Sequence, residues 1–140
     1  MTIVYRFSEQ HIEQLYQLYQ DVGWGGERTL DGTRSCVENA QVCIGILDKE
    51  HKLIGFTRVL SDFTYKALIF DVIVASEHRG NGLAQQLIEL VKHHDKLKNV
   101  RHFELYCLPE MMGFYSNLGF SSDVDSLNLM RLTNNNNNVS

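Results

Sequence analysis

An apolar run of ten residues, KALIFDVIVA (66–75), leads through a glycine-bearing turn, SEHRGNG (76–82), into a segment with helical periodicity. The length of this run and its β-branched residues favour a strand that is covered on both faces. Beyond the turn, apolar residues recur on one helical face: Leu83, Leu87, Ile88 and Val91. The sequence therefore predicts a buried strand, a tight turn and an amphipathic helix in succession.

The rest of the chain supplies further strand and helix patterns. Upstream, these patterns predict strands at 2–7, 41–48 and 52–60, a helix capped by Ser8, and a helix from Thr29 or Asp31 to about Asn39. Downstream, they predict a strand at 100–108, a helix from Pro109 to Gly119 and a closing strand at 126–133. This order indicates an α+β fold in a single domain, with a mixed central β-sheet and helices on both faces.

Length and composition limit the classes of protein to consider. Residues 1–133 have the length of one domain, and the Asn-rich stretch 134–140 is expected to be a disordered tail. The sequence shows neither a secretory signal pattern nor an apolar run long enough for a membrane span, so we expect a cytoplasmic protein with no membrane partner. The formal net charge of −4 argues against nucleic acid as a partner.

The three cysteines, Cys36, Cys43 and Cys107, fit neither a disulfide framework nor a metal-binding clip. We interpret them as reduced thiols and expect no metal site.

The glycine-bearing turn has the chemistry of a phosphate cradle. The first amides of a helix lack intrahelical partners, and the helix dipole favours an anion there. Gly80 and Gly82 leave the main chain accessible, and Arg79 supplies a cation suited to phosphate oxygens. The spacing lacks the third glycine of a dinucleotide-binding fingerprint, and Leu83 excludes a P-loop. A plain strand-to-helix turn is the alternative.

Two stretches resemble the signatures of the GNAT superfamily of N-acetyltransferases. The stretch VIVASEHRGNGLA (72–84) is similar to the acyl-coenzyme A signature, with Arg79, Gly82 and Ala84 at its core positions. The stretch GFYSNLGF (113–120) is similar to the second hallmark, a tyrosine followed shortly by Gly-Phe. Both lie on the expected elements, and the resemblance extends over residues 1–133.

The resemblance implies acetyl-CoA as the cosubstrate. It implies that main-chain groups of Val72, Ile73 and Val74 bind the pantetheine arm. It also implies a set of turn residues whose amides hold the pyrophosphate: Arg79, Gly80, Asn81, Gly82, Leu83 and Ala84. Many relatives carry an asparagine seven residues before the motif tyrosine, and Leu108 occupies that position here, which removes one polar contact to the arm.

The implied activity is direct transfer of an acetyl group from acetyl-CoA to a primary amine of a small molecule or peptide. Tyr115 takes the position of the general acid that protonates the departing thiolate, with a core tyrosine as the alternative. Asp71, a carboxylate within an apolar strand, must either be paired, for example with Arg58, or have a raised pKa suited to a general base. Glu104 and Glu110 are weaker candidates for the base, and water alone is another.

The resemblance places the acceptor amine beside the loop that follows the first helix. This loop carries Trp24 and Arg28, and Trp24 is either a mobile lid or a hydrophobic plug. Asp62, in the turn between two strands, is a further acceptor-side residue. The sequence names neither the amine nor the acyl chain. Family members often form homodimers, but no stretch here indicates an interface.

Two other functions fit parts of this pattern. An acyl-CoA-binding sensor would keep the phosphate cradle without turnover and would not need Tyr115 as an acid. A cysteine-based acyltransferase would use Cys107 as the nucleophile and form a covalent acetyl adduct.

Overall fold

A computed structural model describes residues 1–134 of the chain. The strands are β1 (Thr2–Val4), β2 (Val42–Leu47), β3 (Leu53–Ser61), β4 (Lys66–Val74) and β5 (His102–Leu105). The helices are α1 (Glu9–Gln20), α2 (Leu30–Asn39), α3 (Leu83–His93) and α4 (Met112–Asn117), with short 3-10 turns at Ser76–His78 and Pro109–Met111. Within these residues, no helix is long and apolar enough to span a membrane.

The five strands form one mixed sheet in the order β1-β2-β3-β4-β5. The first four strands pair antiparallel with their neighbours, whereas β4 and β5 run parallel. A parallel pair needs a crossover connection, and α3 lies in that connection. The predicted α+β class and mixed sheet are confirmed.

Helices α1, α2 and α3 begin where the sequence predicts. The Ser8 hydroxyl accepts a hydrogen bond from the His11 amide, and the Thr29 hydroxyl accepts one from the Gly32 amide. These are N-cap contacts that satisfy helix amides without intrahelical partners. Gly82 caps α3 with a left-handed backbone (φ 80°) and provides no side-chain hydrogen bond. The start of α3 therefore differs from the two capped helix starts.

The core lies between the sheet and its helices. Helix α1 packs against β3, and helix α3 packs against β2, β3 and β4. Strand β2 is buried along its whole length, as are the first five residues of β3. The helices contribute an apolar stripe to this core, as their amphipathic patterns predict; its members include Ile12, Leu15, Tyr19, Leu87, Ile88 and Val91.

Strand β4 contains a bulge at Asp71. Along β3, Phe56 pairs with Ile73 and Arg58 pairs with Phe70, so β4 has one residue more than β3 between these pairs. Asp71 has a φ of 58°, a left-handed conformation that aspartate tolerates better than most residues. The buried Thr57 hydroxyl donates to the Phe70 carbonyl at 2.8 Å beside the bulge. Bulges of this kind redirect side chains and are common beside functional sites.

The chain divides into two compact units, Met1–Tyr106 and the part that begins at Cys107. In the second unit, the helix predicted from Pro109 begins as a 3-10 turn and continues as α4. The strand predicted at 126–133 is wrong, because these residues have no strand structure and are exposed. A segment with alternating apolar residues forms a strand only if a neighbouring strand supplies hydrogen-bond partners. Of the predicted tail 134–140, all but Asn134 lies outside the described residues.

Candidate active site

The β4 edge that faces β5 is only partly paired. The parallel ladder joins Lys66 through Ile69 to β5 and reaches no further within the first unit. Main-chain groups of residues 70–74 on this edge therefore have no strand partner among residues 1–106. An extended ligand with amide groups can bind such an edge as an additional strand. The predicted pantetheine-binding residues, Val72, Ile73 and Val74, lie in this segment.

The stretch that follows, residues 79–84, is named here the glycine turn. In the described part of the chain, none of the main-chain amides of residues 80–85 donates a hydrogen bond to a carbonyl or side chain. Gly80 and Gly82 have φ values of 83° and 80°, which glycine adopts without the steric cost of a Cβ atom. Free amides at a helix start form a site for an anion.

The space around the glycine turn is open. A Cβ atom built on Gly80 or Gly82 would meet no heavy atom within 4 Å. Arg79 is exposed, and its Nε donates to the Val74 carbonyl at 3.2 Å, which ties the turn to the end of β4. The glycine turn thus has the accessible main chain and the nearby cation that a pyrophosphate group requires.

The side chain of Asp71 is the centre of an ion-pair cluster, named here the Asp71 cluster (Tyr19, Arg28, Arg58 and Asp71). The Asp71 side chain is only 7% exposed. Its Oδ2 atom accepts hydrogen bonds from the Tyr19 hydroxyl at 2.7 Å, from Arg58 Nε at 2.7 Å and from Arg28 Nη1 at 3.0 Å. Its Oδ1 atom accepts one from Arg28 Nη2 at 3.3 Å. The carboxylate is therefore paired on both oxygens.

Burial and charge fix the protonation of the groups around Asp71. Burial, reinforced by the Asp71 charge, raises the pKa of the Tyr19 phenol, which therefore stays protonated and donates its hydrogen bond. Burial alone would lower the pKa of Arg58, but the hydrogen bond and charge of Asp71 outweigh it and raise that pKa. Two guanidinium groups and one carboxylate leave the Asp71 cluster with one net positive charge.

The pairing of Asp71 with Arg58 is one of the two alternatives that the sequence left open, and the structure contains it. The partners Tyr19 and Arg28 were not predicted. Tyr19 follows the apolar period of α1 and has a pattern typical of a core residue. Arg28 was assigned to the acceptor side, with no signal in the sequence that it would reach Asp71. The apolar pattern of β4 also does not predict the left-handed conformation of Asp71, which brings these groups together.

The loop between α1 and α2 (residues 22–29, named here the Trp24 loop) packs closely against the end of α1. A Cβ atom on Gly25 would lie 2.5 Å from the Tyr19 carbonyl oxygen, so only glycine fits there. The Arg28 guanidinium carbon lies 4.4 Å from the centre of the Tyr19 ring and 5.4 Å from that of the Trp24 ring. Trp24 is 53% exposed, so this indole is not a buried plug.

Two other acidic residues considered in the sequence analysis have local partners. Asp62 Oδ1 accepts hydrogen bonds from the amides of Thr64, Tyr65 and Lys66, and these hold the β3–β4 turn and lower the pKa of Asp62. Glu104 pairs with Lys66 at 2.7 Å. The Asp62 side chain is exposed to solvent. Its assignment to the acceptor side stays a prediction.

The predicted acid, Tyr115, lies on α4 in the second unit. Its side chain is buried, and its ring meets Phe114 and Phe120 edge to face. Burial, followed by the charge of Cys107, raises the pKa of the Tyr115 phenol. A phenol that keeps its proton at neutral pH can donate it, as a general acid must. After α4, the chain turns at Gly119 with a φ of 100°.

Other polar groups form no comparable site among residues 1–134. These residues contain no group of three or more His, Cys, Asp or Glu side chains that could hold a metal ion. All three cysteines are free thiols, and burial raises the pKa of Cys43 to about 12. An open cavity of about 450 Å³ lies at the C-terminal end of α3, beside Tyr5, Glu89 and His94.

Comparison with known proteins agrees with this geometry. Residues 9–120 match the model of the Acetyltransferase (GNAT) family. The chain is 30% identical over 129 residues to the uncharacterized N-acetyltransferase ycf52 of Pyropia yezoensis, covering 89% of this chain and 74% of that protein.

Solved structures share the fold over nearly the whole chain. One is an acetyltransferase structure assigned to the GNAT family from Xanthomonas campestris pv. campestris, with 26% identity, a TM-score of 0.77 and 94% of each chain covered. Another is glucosamine-6-phosphate N-acetyltransferase of Arabidopsis thaliana, with 19% identity, a TM-score of 0.73, and 96% of this chain and 100% of that chain covered. The family model, the sequence relative and the folds agree, and this chain belongs to the GNAT family of acetyltransferases.

Proposed function

We propose that this acetyltransferase uses acetyl-CoA as its donor and transfers the acetyl group directly to a primary amine. Two neighbouring segments with unpaired main-chain groups carry the proposal: residues 70–74 on the β4 edge, and the amides of residues 80–85 at the start of α3. An acyl-CoA molecule has a part that complements each segment. Its pantetheine arm carries amides that pair with a strand edge, and its pyrophosphate suits free amides at a helix start.

On the donor side, Val72, Ile73 and Val74 bind the pantetheine arm through their main chain. The pyrophosphate lies on the free amides of residues 80–84, with the Arg79 side chain as a nearby cation. The Arg79 amide, also predicted to hold the pyrophosphate, donates to the Ser76 carbonyl. The open space at Gly80 and Gly82 supports this arrangement because a larger side chain would occupy the volume that the phosphates need.

In the reaction, the neutral amine attacks the thioester carbonyl carbon, and a C–N bond forms as the C–S bond breaks. The departing thiolate takes a proton, and we assign its donation to the Tyr115 hydroxyl. The raised pKa of Tyr115 supports this role, since the phenol is protonated at the pH where an amine begins to lose its proton.

The amine must lose a proton before it attacks, and Asp71 is the predicted base. Its two oxygens already accept four hydrogen bonds, three of them from guanidinium groups. Because both oxygens are engaged with these donors, the geometry favours a carboxylate that holds the surrounding groups over one that takes a proton from the amine. We therefore propose that water removes the proton and that Asp71 positions the groups around it. A base role for Asp71 is the competing proposal.

On the acceptor side we place Trp24, Arg28 and Asp62. The Asp71 cluster carries one net positive charge, and a nearby positive charge disfavours a second cation in the same site. We therefore expect acceptors with a single amino group to be better substrates than polyamines.

A thiol-release assay with acetyl-CoA and a panel of amines tests the proposal. The panel contains amino acids, peptide N-termini, lysine side chains, aminoglycosides and polyamines. Amine-dependent release of coenzyme A, together with an acetylated product of the expected mass, is the predicted result. Binding of acetyl-CoA without release for any amine would favour the acyl-CoA sensor instead. A stable acetyl adduct on Cys107 would favour the cysteine-based route.

A further inference from the structure

We propose that Arg28 is a positioning residue that fastens the Trp24 loop to strand β4 through Asp71. The loop carries two of the three proposed acceptor-side residues, Trp24 and Arg28, so this assignment gives that part of the acceptor site a defined support. The consequence for the acceptor rests on the proposed function, whereas the fastening of the loop does not.

The ion pair between Arg28 and Asp71 has a forked geometry. Two nitrogens of one guanidinium, Nη1 and Nη2 of Arg28, reach the two oxygens of Asp71 at 3.0 and 3.3 Å. A forked pair of this kind fixes both the distance and the orientation of the guanidinium plane. Asp71 is 7% exposed and Arg28 is 31% exposed, so water screens the pair less than it screens a surface ion pair.

The Trp24 loop also stacks on the Arg28 guanidinium. Arg28 lies over both the Tyr19 and the Trp24 rings, and these two rings meet edge to face at 6.0 Å. Tyr19 is fully buried on α1 and belongs to the core. Trp24 is half exposed and is flanked by Gly23 and Gly25. The guanidinium therefore connects an exposed loop ring to the buried core, and cation–π contacts with both rings stabilise it.

Arg28 and Arg58 pair with Asp71 independently of each other. Arg58 pairs with Asp71 through its own Nε at 2.7 Å, within the sheet. Removal of the Arg28 side chain therefore leaves the buried carboxylate with a charged partner and leaves the bulge in place. The Trp24 loop loses its attachment while β4 keeps its structure, so the two effects can be measured separately.

The chain contains a single tryptophan, so intrinsic fluorescence reports on this loop alone. In Arg28→Met we expect the Trp24 emission to shift to longer wavelength and acrylamide quenching to increase, with an unchanged far-UV circular dichroism spectrum. Arg28→Lys keeps the charge but loses the fork and the planar stacking, so it should fall between the wild type and Arg28→Met. Arg34→Met, which removes a surface arginine paired with Glu9 and Asp31, is the matched control and should resemble the wild type.

Wild-type emission and quenching in Arg28→Met would overturn the proposal. An equal change in Arg34→Met would also overturn it, because the effect would then not depend on the pair with Asp71. If Arg28→Met folds less completely than the wild type, the fluorescence of the milder variant Arg28→Lys still tests the proposal.

Enzyme kinetics test the acceptor-side consequence. Loss of one charge-assisted contact to the loop predicts that Arg28→Met raises the KM for the amine about tenfold or more, while the dissociation constant for acetyl-CoA stays near the wild-type value. Parallel loss of acetyl-CoA affinity would contradict a role confined to the acceptor side. If the wild-type protein acetylates no amine, the proposed function fails, and the fluorescence result still decides whether Arg28 fastens the loop.

Discussion

Arg58 on β3 donates a hydrogen bond from Nε to Asp71 Oδ2 on β4, at 2.7 Å, beside the point where β4 gains an extra residue. The two strands are therefore joined by a buried ion pair at the same place where their main-chain register changes. Arg28 and Tyr19 complete this contact from outside the sheet. The Asp71 cluster thus links the bulge, helix α1 and the Trp24 loop.

The substitution Asp71→Asn separates a structural role from a base role. Asparagine tolerates the left-handed conformation of Asp71, so the change removes charge with little backbone strain. Two arginines then lack their carboxylate, and we expect the free energy of unfolding to fall by about 3 kcal/mol. Urea denaturation of the variant and the wild type measures this difference.

The activity of the same variant shows whether Asp71 acts as the general base. With Asp71 as a positioning residue, acetylation by the folded Asp71→Asn protein should fall mainly through a weaker KM for the amine. An undiminished free energy of unfolding, with kcat lost by about a hundredfold or more, would identify Asp71 as the general base.

The substitution Tyr115→Phe tests the general acid. Loss of the hydroxyl should lower kcat by about a hundredfold, while the affinity for acetyl-CoA changes little. Steady-state rates give kcat, and equilibrium titration gives the dissociation constant for acetyl-CoA. If both fall together, or if kcat is unchanged, Tyr115 is a packing residue and not the acid.

The pH dependence of kcat gives an independent test of Tyr115. Its pKa is raised above the ordinary value of 10.0, mainly by burial. The acid must be protonated, so activity should persist below this raised pKa and be lost only as the pH rises through it. Thiol release at saturating substrates should therefore show no basic limb with a midpoint below the ordinary phenol pKa of 10.0. A basic limb with a midpoint below about pH 9 that disappears in Tyr115→Phe would contradict the burial of the phenol.

Much of the fold follows from the sequence because local rules govern it. Ser8 and Thr29 cap the helices as predicted, since an N-cap depends on contacts within one turn. Gly82 marks the start of α3 because its left-handed backbone favours glycine. The strand predicted at 126–133 fails because alternation of apolar residues says nothing about whether a partner strand is available.

The sequence predicts the candidate site less completely than it predicts the fold. The glycine turn can be predicted because its chemistry lies in consecutive residues. The Asp71 cluster cannot, because its members lie on α1, the Trp24 loop, β3 and β4, and meet only after the sheet has formed. The sequence left Asp71 either paired, for example with Arg58, or with a raised pKa; packing of distant segments gives it three partners, Tyr19, Arg28 and Arg58.

The bulge itself provides a prediction for stability. The Thr57 side chain is fully buried, and its hydroxyl donates to the Phe70 carbonyl at 2.8 Å. Thr57→Val keeps the shape of the side chain but leaves this carbonyl without that donor, so the free energy of unfolding should fall by about 1 kcal/mol. Chemical denaturation measures the change. An unchanged or increased free energy of unfolding would show that the bulge does not depend on this hydrogen bond.

The most direct test of the account is a titration of acetyl-CoA against the wild type and Gly82→Val. Valine at a φ of 80° strains the glycine turn and places a side chain beside the free amides. S-acetylpantetheine, which lacks the pyrophosphate, is the matched control ligand. A circular dichroism spectrum of the variant verifies that it is folded.

We expect Gly82→Val to lose measurable affinity for acetyl-CoA and to bind S-acetylpantetheine as the wild type does. Micromolar affinity for acetyl-CoA in the folded variant would contradict the assignment of the pyrophosphate to the glycine turn.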